Sequence, residues 1–193
     1  MKTLIINGSP RKKGDTAFLL SKLREQINHE IIEISAYYHN IKPCIDCRAC
    51  KKEKGCKIND DMRLIYEDDF DNAVIASPLY ISNLTPPLIG LASRFQAYYC
   101  AKHFLKDEFC VKEKKAALIL VGGGDGSPNP AIDLSKWIFK SLNAGGFDKH
   151  IALSLKTEEV PASEDEAAIR KVREIALWFN ENDEGEIGYI YAK

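Results

Sequence analysis

Short, almost wholly apolar runs alternate along the chain with longer stretches in which apolar residues recur every three or four positions. "KTLIIN" (2–7), "HEIIEIS" (29–35), "NAVIASP" (72–78), "KAALILV" (115–121) and "KHIALSL" (149–155) have the length and β-branched content of buried strands. Helical patterns lie between and after them. In 15–27, Phe18, Leu19, Leu23 and Ile27 fall near one face, and a short helical stretch covers 60–69. The stretch 85–104 opens on two prolines, which a helix start tolerates. The pattern over 129–146 is stopped by glycines, and that over 163–182 begins with Ser163, Glu164 and Asp165, which suit the positive end of a helix dipole.

Strands apolar on both faces, alternating with helices, predict a parallel sheet covered on both sides. Five such units in 193 residues predict a three-layer, doubly wound α/β fold. No repeat, low-complexity tract or flexible linker divides the chain, so one domain is expected over 1–193, with a cysteine-rich loop (36–62) inserted after the second strand. In such folds ligands bind beyond the carboxyl ends of the strands, where strand order reverses. The loops expected there are "GSPRKKGDT" (8–16), "SPLYISN" (77–83) and "GGGDGSPNP" (122–130), all rich in small and turn-forming residues.

Composition narrows the partners. Hydrophobic residues make up 45% and charged residues 28%, the balance of a soluble globular protein, and a formal net charge of -1 gives no electrostatic case for nucleic acid or anionic membrane. The amino-terminal run is too short for a secretory signal, and no apolar run approaches the ~20 residues of a membrane helix. A reducing cytoplasm is therefore the expected setting, where clustered cysteines serve as metal or redox sites more often than as disulfides.

The first loop runs from strand to helix. A helix amino terminus presents unpaired N–H groups and partial positive charge, Ser9 and Thr16 add hydroxyls, and Arg11 can hold two phosphate oxygens with its planar fork. The loop is neither a P-loop nor G-x-G-x-x-G. An ordinary turn with Asp15 or Thr16 as helix cap is the plainer alternative, and the position after strand one favours phosphate.

Four cysteines, Cys44, Cys47, Cys50 and Cys56, follow C-x2-C-x2-C-x5-C. Successive spacings of two gather thiolates around one small centre, as in ferredoxin runs that hold iron–sulfur clusters. Arg48, Lys51, Lys52, Lys54 and Lys57 would offset the negative charge of a [4Fe–4S] cluster. Zinc also accepts four thiolates, although its ligands usually come from two more widely separated pairs. A Cys44/Cys47 dithiol and fortuitous thiols are the other readings. Cys100 and Cys110 sit in apolar surroundings and read as core. The four histidines form no spacing motif; His39, near the cysteine loop, reads as surface or core.

Taken in order, "GSPRKKGDT", "PCIDCRACKKEKGCKINDDM", "ASPLYISNL...SRF" and "VGGGDG" resemble the NADPH-dependent FMN reductase-like and iron–sulfur flavoprotein group of the flavodoxin-like superfamily. The resemblance covers roughly residues 1 to 150 and implies strand order 2-1-3-4-5. It implies that Ser9, Arg11, Asp15 and Thr16 hold the FMN phosphate, with Pro10 shaping the turn. It places Ser77, Pro78, Leu79, Tyr80 and Asn83 against the flavin ring and ribityl chain, and Gly122, Gly123, Gly124 and Asp125 at the pyrimidine edge. Asp15 departs from the family's usual Asn, and is expected to turn away and cap the helix. Ile89 and Ser93-Arg94 depart from the family's Lys and Asp-Arg.

The resemblance further implies a cluster close to FMN across a subunit interface, hence a homodimer or homotetramer. The expected function is that of an FMN-binding redox protein, an NAD(P)H-dependent oxidoreductase or an electron-transfer iron–sulfur flavoprotein. NAD(P)H or another donor supplies its electrons; the acceptor is unknown, and no side chain is assigned as a catalytic acid or base. The alternatives are a cluster-free NAD(P)H:FMN or quinone reductase, and a non-catalytic zinc or thiol sensing protein on the same scaffold.

Overall fold

The computed structural model describes residues 1–67, 69–107 and 109–181. Asp68, within the expected 60–69 helix, and Asn182, the last residue of the expected 163–182 helix, lie outside the described residues, as does 183–193.

Among the described residues, six parallel strands form one sheet: β1 (Lys2–Asn7), β2 (Glu30–Ser35), β3 (Asn72–Pro78), β4 (Lys114–Gly122), β5 (Ala144–Gly145) and β6 (Ile151–Leu155). Their order is β2-β1-β3-β4-β5, with β6 also on β4. The four inner pairings follow the apolar runs of the sequence closely. Strands β3 and β4 are buried along almost their whole length, as a sheet covered on both faces requires. The last position of the sheet is split. Ala144 and Gly145 pair with Lys114 and Lys115; a 3-10 turn at Phe147–Lys149 follows, and β6 then pairs along Leu118–Gly122.

The glycines at 145–146 therefore serve an edge strand and its turn rather than a helix end. The expected 129–146 helix is α5 (Asn129–Ser141), after which Asn143 takes a left-handed φ of 53°. Gly146, at φ 80°, lies where an added Cβ would stand 2.7 Å from the Trp178 ring. Only glycine accepts both the dihedral and the approach. This turn seats His150 flat on Trp178, with ring centroids 3.6 Å apart and planes 1° from parallel.

Helices cover both faces. Helices α1 (Asp15–Gln26) and α6 (Glu166–Asn180) bury Leu19, Leu20, Leu23, Val172, Ile175 and Phe179 against Ile5, Val74 and Ile119. The other face carries α5, the one-turn α2 (Arg63–Tyr66) and a rod from Pro86 to Leu105. That rod comprises α3 (Pro86–Ala92), a 3-10 turn, α4 (Gln96–Cys100) and a closing π turn, and it buries Leu88, Leu91, Phe95 and Tyr98. Asp165 caps α6 by accepting the Ala168 N–H at 3.0 Å, so the helix starts at Glu166 and the polar residues 163–165 precede it. No helix among the described residues is long and apolar enough to cross a membrane.

Candidate functional site

The loops that follow β1, β3 and β4 meet at the carboxyl edge of the sheet, and specific bonds tie them together. The Gly8 N–H donates to Ala76 O at 2.8 Å, and the Thr85 hydroxyl donates to Gly8 O at 2.8 Å. The Leu79 N–H donates to Val121 O at 2.7 Å, which joins the second loop to the end of β4, where the third loop begins. At the rim, Gly126 packs on Ser82, where a Cβ would lie 3.2 Å from the hydroxyl oxygen.

Within the first loop, the Ser9 N–H donates to Asn7 Oδ1 at 2.8 Å, and the Ser9 hydroxyl takes the Arg11 N–H at 3.2 Å. Arg11, Lys12 and Lys13 are exposed, whereas Ser9 and Thr16 are buried. Helix α1 is preceded by Gly14, so no side chain caps its first N–H groups. Those groups have no carbonyl one turn back and remain available to an anion. Asp15 does turn away from the loop, but not to cap: its carboxylate accepts the Ala162 N–H at 2.9 Å and fastens the strand-to-helix connection after β6. The expected cap at Asp15 or Thr16 is not made.

The second loop carries Ser77, Pro78, Leu79, Tyr80 and Asn83. Tyr80 and Asn83 exchange both backbone hydrogen bonds, at 2.8 and 3.0 Å, closing a tight turn over Ile81 and Ser82. Both turn residues have positive φ, 50° and 59°, and Ile81 is fully exposed at 101%. A β-branched residue in this region is strained by on the order of 1–3 kcal/mol. Replacing Ile81-Ser82 by Asn-Gly, the pair this turn geometry prefers, is therefore expected to raise unfolding free energy by about 1–2 kcal/mol, read from urea midpoints at unchanged slope. In the third loop Gly122 is hemmed in by Leu155 and Leu79, Gly123 faces Glu158, Gly124 opens on free space, and Asp125 is exposed.

Two tyrosines after β2 join the site without a sequence motif to announce them. The Tyr38 hydroxyl donates to Pro10 O, and the Lys12 ammonium stands 5.0 Å above the Tyr38 ring. Burial, then the neighbouring Tyr80, pushes the Tyr37 pKa up and keeps its phenol protonated. His39 holds the turn after β2, its Nδ1 accepting the Ser35 N–H at 3.1 Å.

Cys44, Cys47, Cys50 and Cys56 line one cavity with Arg94, Gln96, Ala97 and Cys100. Among the described residues, no three His, Cys, Asp or Glu side chains stand close enough together to hold a metal ion. Cys110 is core, as expected. Cys100 is core as well, fully buried on α4; it also neighbours Cys50, and burial followed by Cys100 pushes the Cys50 thiol up to about 11. Most of the loop's cations have local partners: Arg48 pairs with Asp46, Lys54 with Asp107, Lys57 with Glu53, and Lys51 stands over Phe104.

Beneath this loop lies an ion pair that no sequence spacing revealed. Arg94 and Asp60 are 1% and 0% exposed, with Nη1 and Oδ2 2.6 Å apart. Asp60 also accepts the Lys42 N–H at 2.9 Å and the Met62 N–H at 3.1 Å. Burial raises the Asp60 pKa, but the Arg94 and backbone hydrogen bonds outweigh it and hold the carboxyl below its ordinary range.

The strand order, the helices on both faces and the three convergent loops define a flavodoxin-like α/β protein. Residues 1–157 match the family described as NADPH-dependent FMN reductase, and the chain belongs to that family of flavin-dependent oxidoreductases. Among curated relatives, an iron-sulfur flavoprotein of Archaeoglobus fulgidus is 29% identical over 91% of this chain and 94% of its own length. One of Methanocaldococcus jannaschii is 32% identical over 63% of this chain, and the match spans 62% of that protein's length. Among solved structures, an FMN-dependent NADH-azoreductase of Bacillus anthracis in complex with FMN shares the fold at TM-score 0.66 and 20% identity, covering 94% of this chain and 100% of that one.

Proposed function

We propose that the three loops bind FMN, that the protein is an NAD(P)H-dependent oxidoreductase, and that Cys44, Cys47, Cys50 and Cys56 hold an iron–sulfur cluster. One observation carries the flavin reading: the three loops leave adjacent strand ends that are bonded together beside the strand-order reversal, with a helix start left uncapped by side chains among them. The residues suit the cofactor. The first-turn N–H groups of α1, the Ser9 and Thr16 hydroxyls and the Arg11 fork suit a dianionic phosphate. Tyr80 and Leu79 offer flat and apolar contact, with Ser77, Pro78 and Asn83 shaping their loop, and Gly124 leaves room for close backbone approach. Asp125 edges the same loop. The protonated Tyr37 phenol can donate a hydrogen bond at the rim.

Bound FMN accepts an electron pair as hydride and can return electrons singly, which suits a nicotinamide donor and a one-electron centre. For the cluster, the fit lies in the donor set: four thiols of one loop lining one cavity, in a loop whose five cations outnumber its two carboxylates between 43 and 57. Exposed apolar side chains near both sites, Tyr38, Ile45, Tyr80, Ile81 and Ile89, support a homo-oligomer whose interface covers them.

Protein purified without oxygen is expected to show flavin absorption at about one FMN per chain, with iron and sulfide at about four each. Changing the four cysteines together to serine should remove iron and sulfide completely and leave FMN in place. Folded protein that stays colourless after incubation with FMN would sink the flavin reading. Wild-type protein carrying FMN but no iron would sink the cluster reading alone.

A further inference from the structure

The cysteine loop leaves and re-enters the domain at two stems, Lys42 and Ile58, and Arg94 reaches both. Its Nη1 donates to Lys42 O at 2.8 Å and to Asp60 Oδ2 at 2.6 Å, and its Nη2 donates to Ile58 O at 3.3 Å. Asp60 returns the bond by accepting the Lys42 N–H. A guanidinium has five N–H donors in a fixed fork. Here three acceptors hold the fork's outer nitrogens and fix its plane, yet Nε has none. Among the described residues, Arg94 Nε and Ser154 Oγ are the two buried side-chain polar atoms without a hydrogen-bond partner. Arg94 also lines the cavity that the four cysteines line.

A buried donor is normally paired, and an exception in a residue that lines a thiol-lined cavity asks for an acceptor that cavity can supply. Thiols are weak acceptors, whereas thiolates bound to a metal are anionic and accept N–H bonds that orient and stabilise them. We propose that Arg94 is the positioning residue of the cysteine centre: it ties both stems of the loop, and its Nε–H donates to thiolate sulfur once the four cysteines hold a metal. The inference rests on the reading of those cysteines as a metal-holding set.

The test uses zinc(II) alone as probe, on full-length protein prepared without metal, with FMN binding measured on the same samples as a check of the fold. On addition of one zinc equivalent, the Arg94 Nε–H resonance of nitrogen-labelled wild type should move downfield and exchange with water at least tenfold more slowly. Arg94→Lys, which keeps the charge but not the fork, should bind zinc about 10–100-fold more weakly, the usual effect of losing an outer partner of a metal ligand. Its FMN affinity should stay within about twofold, because the guanidinium bonds to Lys42, Ile58 and Asp60, all outside the three flavin loops. An Nε–H signal unmoved by bound zinc, or equal zinc affinity in Arg94→Lys, overturns the proposal. Should Arg94→Lys fail to fold, the wild-type resonance decides alone. Wild-type protein that takes up neither zinc nor iron and sulfide refutes the metal reading itself, and is distinguishable because nothing binds.

Discussion

Asp60→Ala is expected to lower the unfolding free energy by about 3–5 kcal/mol, the cost of leaving one member of a buried ion pair without its partner. The size follows from the surroundings. Both side chains are shut away from water, so Arg94 cannot recover hydration when the carboxylate goes, and the Lys42 and Met62 N–H groups lose their acceptor with it. The same pair sets a pH dependence whose sign is fixed. The Asp60 pKa in the folded protein lies below its ordinary value of 3.8. The pair's contribution is therefore complete above about 3.8, and fades as pH falls through the lower folded-state value. Urea unfolding of wild type and Asp60→Ala should differ most at pH 7 and draw together as pH falls through the lowered folded-state value. A difference that stays constant between those pH values would show that the carboxylate's charge is not what stabilises the stems.

How much of the molecule is legible in its sequence depends on the range over which each signal acts. Strand identity, helix spacing and the chemistry of the three loops are local, and the runs at 2–7, 72–78 and 115–121 pair as their patterns imply. The pairing of Asp60 with Arg94 spans 34 positions and joins a loop to a helix, so no spacing rule encodes it. Cys100 illustrates the same limit. Its neighbours Tyr98 and Ala101 are buried, and core is the natural and correct reading, but only the folded rod brings it beside Cys50. Asp15 has two available partners, its own helix start and the segment after β6, and a bond across 147 positions wins. The edge strand at 144–145 escapes the pattern because glycines end helices and shape turns with equal ease.

Gly8→Val is expected to damage both stability and flavin binding, and comparison with Gly124→Val separates the two causes. A Cβ on Gly8 would lie 2.7 Å from Leu88 Cδ2 and 2.9 Å from Ser77 Oγ, both on buried residues. Neither neighbour can retreat without moving α3 or the end of β3, so overpacking should cost about 1–3 kcal/mol. Gly8 is also held on both sides, by Ala76 O and by the Thr85 hydroxyl, and it launches the loop that ends at the start of α1. Shifting its backbone misaligns Ser9 and Arg11 with the helix N–H groups, and FMN affinity should fall at least tenfold, about 1.4 kcal/mol. A Cβ added to Gly124 would meet nothing within 4 Å, so valine there should change stability by no more than about 0.5 kcal/mol. If the third loop does lie against the flavin edge, that same substitution still weakens FMN binding at least tenfold, because the added side chain fills the space the ring requires. Fluorescence titration with FMN, paired with thermal melts of both variants, reads the two effects apart. Undiminished FMN affinity in Gly124→Val would remove the third loop from the site, while leaving the first loop's role to be judged on Gly8→Val.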